Sequence, residues 1–303
     1  MNQEQCLDNR GLKMELNGVE IEDTFAEAWE LQIARILLTA ASERLAVAAA
    51  QQITGAGGSC ELSLSIQGGI ERLAIPPETP DGRPGVIVQF SLPPKSPYGP
   101  AKFREDLEKR IILSTQIPTT SIFDFTPDKY SREKFDISKR IIPRGKGYEK
   151  KDKIDGRKVI RFPSTSGEWI LEEQISIAMG CDGHFIVYAD NAFAGIAATE
   201  AAKNAVRLVN GVAPIGFGTE AIMGKYPESC PTIREKVKKT EVPEGVNALI
   251  TLLMSGLDDG LMKNAMKNGI EAAVKISGVR KIGARNEGGK FGIHKFYLCK
   301  LFE

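Results

Sequence analysis

Histidine is nearly absent: His184 and His294 are the only two in 303 residues. A zinc site built on histidine, or a Ser-His-Asp triad, needs partners and spacings that this chain barely offers. Both histidines sit in alternating, strand-like runs, "HFIVYA" and "GIHKFYLC", and read as structural or surface residues. An enzyme built from this chain would move its protons with a carboxylate or a lysine. Paired cysteines are missing as well. Cys6, Cys60, Cys181, Cys230 and Cys299 are odd in number and never form C-x-x-C, which suggests reduced, mostly buried thiols. No apolar run approaches the roughly 18 residues of a membrane span, and the polar start "MNQEQCLDNRGLK" lacks a signal-peptide core. The expected location is the cytoplasm, with no membrane partner. With 40 Lys+Arg against 39 Asp+Glu there is no overall field to draw nucleic acid.

Against these absences stands "ETPDGRPGV", Glu78 to Val86, with two prolines, two glycines and three charges in nine residues before an apolar run. Pro80 and Pro84 restrict the backbone and Asp81-Gly82 makes a turn into a strand over Val86 to Leu92. A shorter echo, "IDGRKVIRF" from Ile154 to Phe162, looks like the same turn kept in a duplicated scaffold.

Thr24 to Gln52 reads as one long helix rich in Ala, Leu and Glu, opened by a Thr24-x-x-Glu27 capping box and stopped by Gly55-Ala-Gly-Gly58. An amphipathic helix from Ala101 to Ser114 and a strand in "TTSIFDF" follow. In the second half Val246 to Leu257 reads as a strand, Asp258 or Asp259 caps the next helix, and "GVRKIGA" is a further strand. Ala197 to Val209 is Ala-rich enough to pack closely on a sheet. Strand, helix and strand recur at similar lengths in both halves. The fold class expected is α+β, two ferredoxin-like α/β sandwich lobes related by internal duplication. The expected division is an N-terminal extension at 1–13, a lobe at 14–150 and a lobe at 151–303. Asp128 to Lys158, with twelve basic and six acidic residues, reads as a solvated connection between the lobes, or as a basic rim for an acidic ligand.

Met14 to Ser42, "MELNGVEIEDTFAEAWELQIARILLTAAS", closely resembles the start of the formylmethanofuran:tetrahydromethanopterin formyltransferases. "ETPDGRPGV", "GRKV" (156–159), "CPTI" (230–233), "GIEAA" (269–273) and "GGKFG" (288–292) agree in order. The resemblance implies a homotetramer with clefts at its subunit interfaces, formylmethanofuran and tetrahydromethanopterin as substrates, and no tightly bound cofactor or metal. It also implies small-molecule one-carbon carriers as partners, association with a formylmethanofuran dehydrogenase-type complex, and a start at Met14. Residues 1–13 then look like an extension or a misassigned start.

In that family a glutamate in a Tyr-Glu-Ile-Val-Ile strand is proposed to transfer the proton; alignment of "NALITLLMSGL" puts Thr251 there. A hydroxyl cannot act as an acid or base near neutral pH, though it can hold a water or donate to an oxyanion. Catalytic candidates are therefore Thr251, Asp23 and Glu27, with Glu20, Glu22 and Glu287 as other acids nearby. Asp81, Arg83, Gly288, Gly289 and Lys290 are the substrate-binding candidates, with Arg157 as a further basic residue in a family-like motif. Structural readings stand beside these roles: Thr24 as a cap, Gly288-Gly289 as a turn, Lys290 as a solvated side chain. Two functions remain open, a divergent formyltransferase and a paralogue without catalysis that binds the cofactor or serves a larger one-carbon complex. Deletion of Met1 to Lys13 is expected to leave soluble expression and the unfolding midpoint unchanged; loss of either would reject the extension reading.

Overall fold

The computed structural model describes residues 14–55, 66–95, 99–218 and 227–303. The expected extension at 1–13 and the glycines at 57 and 58 lie outside them. The chain divides into two compact units, Leu31–Gly180 and a second of residues 14–30 with Cys181–Glu303.

Three short strands come first: β1 (Glu15–Leu16), β2 (Val19–Ile21) and β3 (Phe25–Ala28). The unit Leu31–Gly180 is then built on β4 (Glu30–Thr39), α1 (Glu43–Thr54), β5 (Gln67–Ala74), β6 (Gly85–Leu92), α2 (Gly99–Leu113) and β7 (Ser121–Asp124). Its strands lie in the order β7-β4-β6-β5, every neighbour antiparallel, which is the ferredoxin-like arrangement. Around it are β8 (Ser131–Asp136), the short α3 (Ser138–Ile141), β9 (Lys150–Ile154), β10 (Arg157–Ser164) and β11 (Gly167–Glu172). Strand β12 (Gln174–Ala189) gives its first residues to this unit, paired with β8, and Cys181–Ala189 to the other.

The other unit continues with α4 (Ala192–Val206), β13 (Val212–Gly218), β14 (Ala248–Gly256), α5 (Asp259–Ala273), β15 (Val279–Gly283) and β16 (His294–Tyr297). Its order, β15-β12-β14-β13, again all antiparallel, repeats the first unit strand for strand. β2 extends this sheet beside β15, and β3 pairs with β16 as a separate two-stranded sheet. The internal duplication is thus real at the level of β-α-β-β-α-β order.

The single helix expected over Thr24 to Gln52 is corrected: Phe25–Ala28 and Glu30–Thr39 are strands, and the helix begins only at Glu43. Its cap is Ser42, whose side chain accepts from the Leu45 N–H, and Ala46, Ala49, Ala50 and Ile53 form its buried stripe. The misreading has a physical cause. β4 is central, with Ala34, Ile36 and Leu38 facing α1 and α2 while Leu37 packs with Ile87 and Phe123 on the other side. A strand buried on both faces shows no alternation and reads like a helix rich in Ala and Leu.

The echo of "DGR" is corrected too. Asp155-Gly156 is the two-residue tip of the β9–β10 hairpin, with φ of 47° and 74°, as a primed turn requires. Asp81-Gly82 lies in the connection from β5 to β6 of the same unit, so the two are not duplicated counterparts. The charged run from Asp128 to Lys158 is folded into β8, α3, β9 and the start of β10, well inside one unit. Several of its basic groups are paired with acids, Arg140 with Glu108 at 2.6 Å and Lys139 with Asp136 at 3.3 Å. Cys299 is disulfide-bonded, which corrects the expectation of reduced thiols throughout; positions along the chain do not reveal which cysteines fold together. Cys181 and Cys230 are free.

One buried ion pair stands out in the first unit. Arg35 on β4 donates through Nε and Nη2 to both oxygens of Glu71, at 2.7 and 2.6 Å, and through Nη1 to the Phe125 carbonyl at 2.7 Å. Glu71 is the extra residue of a bulge between Ile70 and Arg72, and it also accepts from Gln89 at 2.9 Å. Arg35→Met alone is expected to lose about 3–5 kcal/mol because it strands a buried carboxylate, while Arg35→Met with Glu71→Leu recovers most of that loss. Urea unfolding of the two variants checks it; equal destabilisation would refute it.

Candidate active site

Alternation along β14 and β12 separates a core face from a second face. Leu252, Met254, Phe185 and Val187 pack with α4 and α5, and a Cβ at Gly195 of α4 would touch Ile250. Their neighbours point the other way: Thr251, Leu253 and Ser255 on β14, and Asp182, His184, Ile186 and Tyr188 on β12. The register sets Thr251 opposite Ile186, and Ile186 opposite Gly283 of β15. A Cβ at Gly283 would displace the Glu22 carboxylate and press on the Tyr188 ring, so glycine there leaves room for both side chains on this face.

The groups on this face have unusual protonation. Burial pushes Asp182 up to about 7 from 3.8, against the opposing Trp29 N–H that its Oδ1 accepts at 2.5 Å. His184 is pushed by burial down to about 4 and stays neutral at pH 7; its Nε2 accepts the Arg285 N–H at 3.1 Å, which leaves the proton on Nδ1. Burial, and then the Glu22 carboxylate, raise Tyr188 to about 12. Glu22 itself takes Lys281 Nζ at 2.6 Å, and Lys281 lies over the Tyr188 ring at 5.4 Å. The face therefore carries a carboxyl poised between its two states, a neutral imidazole, and an ion pair two strand spacings, about 10 Å, from Thr251.

Glu27 belongs to a different device. It lies on β3, and its carboxylate accepts four backbone N–H groups of one loop: Glu287 at 2.7 Å, Gly289 at 3.0 Å, Phe291 at 2.5 Å and Gly292 at 2.6 Å. Burial works to raise its pKa, but the four donors together hold it at about 2, below the ordinary 4.5. All its acceptor sites are taken, so this carboxylate anchors the loop and does not carry a proton at neutral pH. Gly288 and Gly289 sit in that loop at φ of 70° and 74°, a backbone that only glycine adopts without strain. Lys290 between them and Phe291 is exposed.

The remaining sequence candidates fall elsewhere. Asp23 is exposed in a bend between β2 and β3, and Thr24 caps no helix; its hydroxyl accepts from Asn286 at 3.0 Å. Arg83 and Asp81 pair with each other at 2.8 Å in the first unit. Arg83 also donates to the Thr119 carbonyl, Thr39 and Ser121, so its guanidinium ties the β5–β6 connection to β4 and β7. Both line an open cavity of about 440 Å³ with Arg161 and Glu168, whose own charges are paired. Arg157 is likewise committed, to Glu172 at 3.0 Å and the Asp124 carbonyl. Sequence reasoning missed Asp182. Its only signal was a place two residues ahead of His184 in the "HFIVYA" strand.

With this geometry in view, comparison with known proteins is informative. The family model "Formylmethanofuran-tetrahydromethanopterin formyltransferase" matches residues 14–164, and its companion "FTR, proximal lobe" matches 167–301. The chain belongs to this formyltransferase family. A curated formylmethanofuran–tetrahydromethanopterin formyltransferase of Methanosarcina acetivorans is 39% identical over 95% of this chain and 100% of its own length. That of Methanocaldococcus jannaschii is also 39% identical, over 96% and 100%. The solved formyltransferase of Methanosarcina barkeri superposes with a TM-score of 0.86 at 37% identity, covering 95% of this chain and all of that one. A subunit of the formyltransferase/hydrolase complex of Methylorubrum extorquens, solved with methylofuran, shares the fold with a TM-score of 0.83 at 24% identity, over 96% and 99%. This member carries the GGK loop with its Glu27 anchor, and Asp182 and Thr251 on the second sheet face.

Glu27→Gln is expected to cost about 2–4 kcal/mol, since a neutral amide cannot accept four N–H groups. The depressed pKa means this stabilisation is complete above pH 4.5 and disappears as pH falls toward 2. Urea unfolding of wild type and variant at pH 7 and pH 3 should therefore give a gap that narrows in acid; a constant gap would contradict the anchor role.

Proposed function

We propose that this chain moves a formyl group between the amine of methanofuran and N5 of tetrahydromethanopterin. The match of two family models across nearly the whole chain, with relatives covered end to end, carries this reading. The chemistry fits the second face of the β12–β15 sheet. The incoming amine nitrogen attacks the formyl carbon, the carbonyl oxygen becomes an oxyanion, and the bond to the leaving nitrogen breaks. One proton leaves the incoming nitrogen and one must reach the departing nitrogen.

Asp182 is assigned to that proton transfer. A carboxyl with a pKa near 7 accepts and returns a proton with little cost at neutral pH, which neither Thr251 nor the fully committed Glu27 can do. Thr251 stands four residue levels, about 13 Å, along the sheet from Asp182, which faces Ser255, so its hydroxyl is assigned to holding a water on that face and not to the oxyanion. Lys290 meets an anionic tail of one substrate, while Glu22, Lys281 and Tyr188 order the far side of the face. Asp23, Asp81, Arg83, Gly288 and Gly289 act indirectly, by shaping loops. A homotetramer in the cytoplasm, in contact with a formylmethanofuran dehydrogenase-type complex, is the assembly proposed with this activity. Among the described residues no helix is long and apolar enough to cross a membrane.

Thr251 also keeps a second reading alive, a paralogue that binds the one-carbon carrier without turnover. Formyl transfer assayed in both directions separates the two. Wild type is expected to turn over with a rate that rises through an inflection near pH 7, and Asp182→Asn to be slower by about 10²–10³-fold with that inflection gone. Carrier binding without turnover, unrescued by Thr251→Glu, would replace the enzyme reading with the paralogue. Full activity in Asp182→Asn would remove Asp182 from the mechanism.

A further inference from the structure

On the core side of β12, one residue before Asp182, the fold collects three groups that the sequence keeps far apart. Cys181 starts the part of β12 that belongs to this unit, Asp259 opens α5, and His294 opens β16. Their ligand atoms all lie within 4.8 Å of one another, the one such cluster of three among the described residues. His294 Nδ1 is 2.8 Å from Asp259 Oδ1, and Cys181 hydrogen-bonds to the same carboxylate. The other imidazole nitrogen, Nε2, is buried with no hydrogen-bond partner, so the ring is not fully matched by its protein neighbours.

The geometry points to a divalent transition-metal site, with zinc the metal best suited, formed by Cys181 Sγ, a ring nitrogen of His294 and a carboxylate oxygen of Asp259. One sulfur, one nitrogen and one oxygen is a donor set that zinc accepts at roughly 2.0–2.3 Å, which places ligand atoms about 3.5 Å apart around a tetrahedron. The side chain of Asp259 is 52% exposed, so a water can reach the fourth position. A thiolate and a carboxylate together balance the two positive charges.

Bound there, the metal would pin β16 to β12 and α5. β16 is the strand that follows the GGK loop, and it pairs with β3, which carries Glu27. The site is thus structural: it fixes the C-terminal end of the loop whose middle Glu27 already holds. None of the three ligands belongs to the proton-transfer face, so the inference stands whether or not the chain transfers formyl groups.

The test uses chelator-treated full-length protein with Co2+ and Zn2+ as probes. Co2+ is expected to bind at one equivalent per chain, with visible bands of a four-coordinate ion and a near-ultraviolet thiolate charge-transfer band. Zn2+ should displace it and raise the melting temperature. Cys181→Ser should abolish the thiolate band, while Asp259→Asn and His294→Gln should weaken Zn2+ binding at least tenfold. Asp259 is half exposed, so that variant keeps the test usable if the buried Cys181→Ser fails to fold. Absence of a thiolate band in wild type, or Zn2+ affinity unchanged in Asp259→Asn and His294→Gln, would overturn the site.

Discussion

A β-strand can show only every second side chain to one side, and in this protein β12 uses that rule to serve two environments. Phe185 and Val187 complete a core with α4 and α5, and Asp182, His184 and Tyr188 are set on the opposite face. The active-site reading follows from this division. A shift of one residue in the pairing with β14 would exchange the two sets and bury an aspartate and a histidine among methionines. Asp258 at the N-cap of α5 and Asn191 at that of α4 fix the helices that make one face apolar and so define the other.

Buried polar groups here are matched in ways that suit their positions. Glu27 is saturated by peptide N–H groups and remains charged, whereas Asp182 accepts from two backbone N–H groups, those of Trp29 and of its own residue, against strong burial and sits between its two states. Two carboxylates of one unit thus differ in charge state, one held ionised and the other near its midpoint at neutral pH, because of how many donors the backbone turns toward each. The Arg35–Glu71 pair in the other unit is a third solution, in which a bulge turns the acid inward to meet its partner.

Thr251, where the family resemblance expects a glutamate, looks in one dimension like an absence of chemistry. In three dimensions the same sheet face carries another carboxyl on the neighbouring strand, with a neutral imidazole between the two levels. The two positions are four residue levels, about 13 Å, apart along that face, so proton transfer by Asp182 sets the reacting nitrogens at the Ser255 end of the sheet and not at Thr251.

By itself the sequence determined the recurrence of strand, helix and strand in both halves, a helix opened by Asp258 or Asp259, a strand within Val246 to Leu257, and the family. These are local or nearly local signals: a cap, a period, a turn, a quoted motif. Tertiary structure decided that Phe25–Thr39 is strand, because burial on both faces of β4 erases the alternation a strand otherwise shows. It also decided that Arg83 is a tie within the fold, that Glu27 is an anchor, and that burial raises the Asp182 carboxyl. Each of those roles depends on which backbone N–H groups and apolar surfaces arrive from elsewhere in the chain. Burial and hydrogen-bond count are properties of neighbours in space, and a residue's own letter does not carry them.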